Sequence, residues 1–277
     1  MKLNSTRTPK AYKNLEFLNG PHARSIRILT EYLEPASRFK AEEIKEAIVF
    51  FGSARTKPLA ESKKQLTILK DKLKTSVRPS KSLLSKIQNA EIDVEMSRYY
   101  EDAFKLSSML TKWSLTQKNG NRFVICSGGG PGIMEAANKG ALLSGGKSVG
   151  LNITLPHEQE SNPFISPNLN FEFHYFFMRK LWFMSLAEAL VMFPGGFGTM
   201  DEMMEVLTLI QTTKVKSNMP VILYGPSYWK QVINFDFMVK YHTISKQDLK
   251  LFRFADTPEE AFEYLKQELT KHLKRKN

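Results

Sequence analysis

The chain has 277 residues, of which 42% are hydrophobic and 25% are charged, and its formal net charge is +12. This length and composition are typical of a globular protein with a sizeable core, and they exclude whole-chain disorder, a collagen-like chain and a disulfide scaffold. The one cysteine, Cys126, excludes an intrachain disulfide and a cysteine-rich zinc site.

Residues 1–45 are predicted to form an N-terminal helical extension. The first 20 residues are polar and lack the apolar segment of a secretory signal. Residues 21–45 mix apolar and charged positions, which predicts a helix that breaks near Pro35. No apolar run reaches the ~20 residues of a membrane span. Together with the lone cysteine, these features favour a cytoplasmic protein without membrane partners.

Residues 46–265 are predicted to form the main domain, interrupted by a Lys-rich helical insertion at about 57–92. The apolar run at 47–51 ends in Gly-Ser and predicts a buried strand and a turn. Residues 59–90 predict a helical hairpin, and residues 94–119 predict a separate helix. Residues 266–277 form a basic tail. The positive charge is concentrated in residues 1–40, 56–90 and 266–277, outside the strongest motifs, which argues against a nucleic-acid partner.

Two strand–glycine turn–helix units follow, at residues 122–141 and 189–211. Further strands are predicted at 147–156, 171–177 and 220–225, with a helix at 178–189 between the units and a last helix starting at Pro258. Continuous apolar strands that alternate with helices predict an α/β fold, a doubly wound, Rossmann-like parallel sheet with helices on both faces. Such a sheet binds its ligand at the carboxyl ends of its strands, where all three turns would converge.

The two glycine turns are candidate anion sites. Residues 127–132 read SGGGPG and residues 194–199 read PGGFGT. A glycine turn that enters a helix presents unpaired N–H groups and the positive end of the helix dipole. Tight turns without a ligand are the alternative. Neither turn matches the dinucleotide fingerprint, and a P-loop is absent, so a mononucleotide or sugar phosphate is favoured.

Arg179 and Glu202 are the candidate chemical groups. Arg179 lies in an intensely apolar stretch, where a guanidinium needs an anion, an ion pair or a route to the surface. Glu202 stands three residues after Thr199, a spacing that also fits a capping box with Thr199 as the N-cap. A carboxylate beside a phosphate loop is electrostatically unusual, which favours a chemical role for Glu202.

The motifs GGGPGIMEAAN, MRK and PGGFGTMDE together resemble the Lonely Guy family of nucleoside 5′-monophosphate phosphoribohydrolases, many of which carry the label "lysine decarboxylase-like". The resemblance runs from about residue 47 to residue 265. It implies an enzyme that hydrolyses the N-glycosidic bond of a nucleotide and releases a free base and ribose 5-phosphate. It also implies a homodimer or a higher even assembly, in which the aromatic residues 171–183 are buried.

The resemblance implies a catalytic pair, Arg179 and Glu202. By motif position it also implies substrate-binding residues, which are Ser53, Gly129, Gly130, Glu158, Met178, Lys180, Gly195, Gly196, Gly198 and Thr199. No cofactor is expected. No metal is expected either, because the five histidines lack the spacing of metal ligands.

One departure from the family pattern bears on the choice of substrate. Cytokinin-activating members have a histidine shortly before the Arg-Lys pair, where this chain has Phe176, Phe177 and Met178. AMP or another common monophosphate is therefore at least as favoured as a cytokinin riboside 5′-monophosphate. A non-catalytic nucleotide or sugar-phosphate sensor is the alternative function. A decarboxylase is unsupported, because no lysine is marked as a pyridoxal-phosphate ligand.

Overall fold

A computed structural model describes residues 10–76, 78–117, 122–154, 160–215 and 219–276. Its centre is a seven-stranded sheet in which every pair of neighbouring strands is parallel, in the order β4-β3-β2-β1-β5-β6-β7. The strands are β1 (Glu46–Phe51), β2 (Phe123–Ser127), β3 (Ser148–Ile153), β4 (Asn170–Phe173), β5 (Ala187–Met192), β6 (Val221–Tyr224) and β7 (Arg253–Ala255). The predicted doubly wound parallel sheet is confirmed.

Helices cover both faces of this sheet. They are α1 (Leu15–Asn19), α2 (Arg24–Ala41), α3 (Leu59–Thr75), α4 (Lys81–Leu115), α5 (Ile133–Leu143), α6 (Phe176–Leu186), α7 (Phe197–Gln211), α8 (Pro226–Val232), α9 (Phe235–Lys240) and α10 (Pro258–Lys276). Among the described residues, no helix is long and apolar enough to cross a membrane.

The core consists of two layers, one on each face of the sheet. Every residue of β1 is buried, and its alternate side chains enter different layers, with Val49 on one face and Phe50 on the other. The first layer is closed by α2, α6, α7 and α8, and the second by α4, α5 and α10. The connection after β1 therefore runs to one face and the connection after β5 to the other. The crevice between these neighbouring strands is the topological switch point, where such sheets bind ligands.

The predicted break in the N-terminal helix is wrong, since α2 continues through Pro35. Proline inside a helix removes the N–H that would bond to the carbonyl four residues earlier. That carbonyl belongs to Glu31, and the indole Nε1 of Trp182 donates a hydrogen bond to it at 3.0 Å. A tertiary contact thus satisfies the carbonyl that Pro35 leaves without its helical donor.

The Lys-rich insertion is not separate from the following helix, contrary to the prediction. Its second arm and the predicted helix at 94–119 form the single 35-residue helix α4. Near the tip, α3 and α4 share a small apolar cluster of Leu69, Ile87 and Ala90. Farther along, α4 buries Tyr99, Ala103 and other side chains in the second core layer.

Candidate functional site

The turn after β1 connects the two glycine turns. The backbone N–H of Ser53 donates to the carbonyl of Pro194 at 2.9 Å, and the N–H of Ile133 donates to the carbonyl of Ser53 at 3.1 Å. Ser53 therefore lies between the turn that follows β2 and the turn that follows β5. The predicted convergence of the three turns on one crevice is confirmed.

The first glycine turn is packed against protein atoms. A Cβ at residue 128 would collide with the guanidinium of Arg179, and a Cβ at residue 129 would collide with the side-chain amide of Asn152. Gly129 also has a φ of +75°, which side chains rarely adopt. Packing thus accounts for both glycines, whatever contact Gly129 and Gly130 make with a ligand.

Buried asparagines hold this turn in place. The Nδ2 of Asn162 donates to the carbonyls of Gly129 at 2.9 Å and Gly130 at 3.0 Å, and also to Oδ1 of Asn138. Asn138 in turn accepts a hydrogen bond from the hydroxyl of Ser127 at 2.6 Å. Buried polar networks of this kind fix a single conformation when every member is bonded. Sequence reasoning missed Asn162, because it belongs to no glycine motif, whereas Asn138 is the last residue of the GGGPGIMEAAN motif.

The second glycine turn is open. Gly196 and Gly198 are exposed, and nothing lies within 4 Å of a Cβ built on either. Gly196 is the N-cap of α7, a 15-residue helix that begins at Phe197, and it offers no side chain to the first N–H groups. Those N–H groups and the helix dipole favour an anion at this position. This turn, rather than the first, has the space that a phosphate needs.

Two neighbours shape the second turn. A Cβ at Gly195 would overlap the side chain of Thr199, which is buried against it. From the other side, the hydroxyl of Tyr228 on α8 donates to the carbonyl of Gly195 at 2.8 Å. Tyr228 is a second residue that sequence reasoning missed, since it lies in no motif and far along the chain.

The helix boundary rules out the capping-box interpretation of Glu202. That interpretation needs Thr199 at the N-cap, whereas the N-cap is Gly196 and Thr199 lies within the first helical turn. Glu202 is in the second turn of α7, and only 6% of its surface is exposed. Its carboxylate therefore has no capping role that would explain its burial.

Arg179 lies on α6 beneath the first glycine turn. Its Nε donates to the carbonyl of Leu151 at 2.7 Å, and its guanidinium lies 5.1 Å from the ring centre of Phe183. Burial lowers the pKa of Arg179, while the charge of Glu202 opposes that shift. The carbonyl and the ring fix the orientation of the guanidinium, and the nearby carboxylate partly compensates its charge.

Lys180 lies among three carboxylates of α7. Its Nζ is 2.6 Å from Glu205, 2.9 Å from Asp201 and 3.5 Å from Glu202. Burial opposes the charge of Lys180, but the hydrogen bonds to Glu205 and Asp201 outweigh it and raise the pKa of the ammonium. Lys180 is therefore a fixed positive charge beside Glu202.

The electrostatic setting of Glu202 combines burial and opposite charges. Burial raises the pKa of Glu202 above its usual value of 4.5, and Lys180 and Arg179 act against this increase. The carboxyl of Glu202 therefore lies beside two cations in a place where its charge is little screened by water. Such a group suits electrostatic stabilisation of a developing positive charge, or acceptance of a proton.

The remaining predicted residues lie around this centre or outside the described part of the chain. Met178 is buried on α6, in the residue before Arg179. Glu158 falls within residues 155–159, which the structure does not describe. Arg179 and Lys180 lie on α6, and Thr199 and Glu202 lie on α7.

A cavity with a volume of about 540 Å³ is lined by the β1 turn, the insertion, the end of the first glycine turn and the start of α5. The charged groups in its walls include Arg55, Lys57, Asp93 and Glu135, whereas Arg179 and Glu202 do not line it. The insertion therefore forms part of a cavity next to the first glycine turn.

One group among the described residues has the spacing of metal ligands, namely Glu46, Glu188 and His272. Glu46 begins β1 and Glu188 is the second residue of β5, so this group lies at the end of the sheet opposite the glycine turns. The Nε of Arg122 donates to Glu46 at 3.0 Å. The group is remote from the crevice.

Comparison with known proteins gives a family match and several relatives. Residues 134–265 match a family model described as "Possible lysine decarboxylase". Over 116 residues, the chain is 30% identical to the pyrimidine/purine nucleotide 5′-monophosphate nucleosidase of Escherichia coli strain K12, and to proteins of the same name from strains O6:H1 and O157:H7. The alignment spans 37% of this chain and 24% of each relative.

A solved structure is also similar. The X-ray structure of TM1055, a structural genomics target, is 20% identical, with a TM-score of 0.45, and the match covers 80% of this chain and 99% of that chain. The family match includes Arg179 and the whole PGGFGTMDE motif. Residues 134–265, slightly less than half of the chain, thus match the family model described as "Possible lysine decarboxylase", and they contain two of the motifs by which the chain resembles the Lonely Guy family.

Proposed function

We propose that the protein hydrolyses the N-glycosidic bond of a nucleoside 5′-monophosphate and releases a free base and ribose 5-phosphate. The observation that carries this proposal is the position of Glu202. Glu202 is buried on the same helix whose open N-terminus is suited to an anion, and its backbone lies about 7.5 Å along the helix axis from the first residue of the helix. One helix thus presents a phosphate site and, at a sugar's distance from it, a negative charge.

The reaction follows from this arrangement. Cleavage of the bond leaves positive charge on the ribose, in an oxocarbenium-like transition state. Glu202 stabilises that charge and orients or deprotonates the attacking water. The water oxygen bonds to C1′ of the ribose, and the bonding electrons leave with the base, which gains a proton. Arg179 either keeps Glu202 in its ionised form or binds the phosphate or the departing base.

The substrate-binding roles are proposed from position. Gly195, Gly196, Gly198 and Thr199 hold the 5′-phosphate at the start of α7. Ser53, Gly129, Gly130 and Met178 line the rest of the nucleotide pocket. AMP or a similar common monophosphate is the proposed substrate, with a cytokinin-type nucleotide as the other candidate. The E. coli relatives, which are named as pyrimidine/purine nucleotide 5′-monophosphate nucleosidases, support a nucleotide substrate.

The family description as a possible lysine decarboxylase is not the function that we propose. A lysine that forms a Schiff base attacks as the neutral amine, and such lysines have lowered pKa values. Lys180, the lysine that faces Glu202, has the opposite setting, since its hydrogen bonds to Glu205 and Asp201 raise its pKa. Its surroundings stabilise an ammonium rather than an amine.

The phosphate site predicts a strong preference for nucleotides over nucleosides. We expect release of base from AMP with a kcat/KM at least ~10²-fold above that for adenosine, because a phosphate at the start of α7 contributes charge-assisted hydrogen bonds. Free base is measured by chromatography across a panel of monophosphates and the matching nucleosides. Equal efficiencies on AMP and adenosine would remove the phosphate role of residues 195–199.

We also propose a homodimer or a higher even assembly. The aromatic stretch 171–183 is only partly available for it, because Phe171, Phe173 and Phe183 are buried in the core. Other apolar side chains on α2 and α6 are exposed, namely Leu29, Tyr32, Leu33, Phe176, Phe177 and Leu181. A second copy of this chain is the occupant that we propose for this face.

Light scattering tests this assembly. We expect wild-type protein to have at least twice the monomer mass at micromolar concentration, and we expect Leu33→Glu with Phe177→Glu to lower it. The double variant places two charges on an apolar interface without touching the core. A wild-type monomer would contradict the proposal, and so would an unchanged mass in the folded double variant.

A further inference from the structure

The ammonium of Lys180 is bound by the protein itself. It has three N–H donors, and three carboxylates of α7 lie within 3.5 Å of it. Only 17% of its side chain is exposed, so the site offers little room for another partner. A phosphate that approached Nζ would have to displace Glu205 or Asp201.

The charges around Glu202 come from two helices. Arg179 and Lys180 face it from α6, and Asp201 and Glu205 face it from α7. Arg179 also interacts with Glu172 of β4, whereas burial raises the pKa of the neighbouring Cys126 thiol and keeps it uncharged. Asp201 is largely exposed, whereas about one third of the Glu205 side chain is exposed, so solvent weakens the charge of Asp201 more.

We propose that Lys180 is a positioning residue that acts through Glu202. Glu205 holds the ammonium of Lys180 in the position from which this ammonium favours the ionised form of Glu202. This inference rests on the proposed function and deepens it. Lys180 favours the carboxylate form of Glu202, while Glu205 both orients Lys180 and repels the same carboxylate. The two residues therefore act on Glu202 with opposite signs.

The pH dependence of kcat separates these effects. If Glu202 works as a carboxylate, turnover falls as pH decreases through its pKa, which gives an acid limb above pH 4.5 in wild-type protein. Lys180→Met removes the favourable charge, and we expect the limb to move up by about one pH unit. Lys180→Arg keeps the charge, and we expect it to restore most of that shift.

Glu205→Gln is expected to move the acid limb of the kcat profile to lower pH. The amide oxygen still accepts a hydrogen bond from Lys180, but the negative charge is gone. We expect the acid limb to move down by about half a pH unit, with turnover at the optimum within about threefold of wild type. Asp201→Asn serves as the matched variant at the exposed carboxylate, with a smaller shift in the same direction.

A merely structural role for Lys180 would lower the melting temperature and leave the acid limb in place. A direct role on the phosphate would raise KM for the monophosphate, again without moving the limb. Either result, or equal directions of shift for Lys180→Met and Glu205→Gln, overturns the proposal. If wild-type protein releases no base at all, the proposed function fails. The carboxyl titration of Glu202, followed by NMR in the same variants, then still tests the role of Lys180.

Discussion

Glu202→Gln is expected to lower kcat by ~10²-fold or more while nucleotide binding persists. Glutamine has nearly the shape of glutamate but supplies neither a negative charge to the ribose nor a site for the water's proton. Binding of AMP should be unchanged or tighter, because a carboxylate near the phosphate is removed. Released base, a binding titration and a melting curve are the three measurements.

The fold should tolerate this substitution. Gly196, rather than Thr199, is the N-cap of α7, so no capping box is lost. Burial raises the pKa of Glu202, which means that ionisation costs more in the folded chain than in the unfolded chain. That cost appears as pH rises through the carboxyl range and persists at neutral pH. The variant should therefore melt at the same temperature as wild type at pH 7, or higher.

Glu205→Gln is the matched control for Glu202→Gln. It removes the same charge from the same helix, three residues further along, yet it leaves the carboxylate of Glu202 in place. We expect it to keep turnover at its optimum. Near wild-type turnover in folded Glu202→Gln would show that Glu202 is not the catalytic group, and the nucleotide-sensor function would then take precedence.

The sequence carries enough information for the sheet and for the crevice. Strands such as β1 and β5 are buried on both faces and read as continuous apolar runs, and each ends in a glycine turn. Parallel order then places those turns at one edge of the sheet, as Ser53 confirms by bonding to both. At these positions the apolar strand pattern and the glycine turns are consistent with the topology of a parallel sheet, so the sequence predicts the structure correctly.

Sequence-based prediction fails where contacts between residues distant in sequence determine the local structure. The continuous course of α2 depends on Trp182, which is distant in sequence from Pro35. Likewise, the two glycine turns have similar sequences, but Asn152 and Arg179 fill the space beside the first turn, whereas the space beside Gly196 and Gly198 in the second turn is open. No spacing rule predicts which side chain will enter a turn. The carboxylate partners of Lys180 also become visible only once α6 lies against α7.

A large loss of turnover is also expected for Gly128→Ala, which lies in the first glycine turn. The backbone at residue 128 is outside the positive-φ region, so alanine is not strained there. Its Cβ, however, would collide with the guanidinium of Arg179 and lie 2.8 Å from the sulfur of Met134. The guanidinium is the end of a flexible side chain and can move, which keeps the cost in stability small. Displacement of a catalytic group by about 1 Å is enough to lower turnover by ~10²-fold.

A double-mutant cycle isolates the contact between residue 128 and Arg179. We expect Gly128→Ala to lower kcat by about 10²-fold and to change the melting temperature by less than about 4 °C, or ~1 kcal/mol. Adding Met134→Ala removes the second collision and should not restore activity. In an Arg179→Met background, Gly128→Ala should cost nothing further, because the displaced group is already gone. Full activity in folded Gly128→Ala would mean that the position of the Arg179 guanidinium beneath the turn does not matter for catalysis.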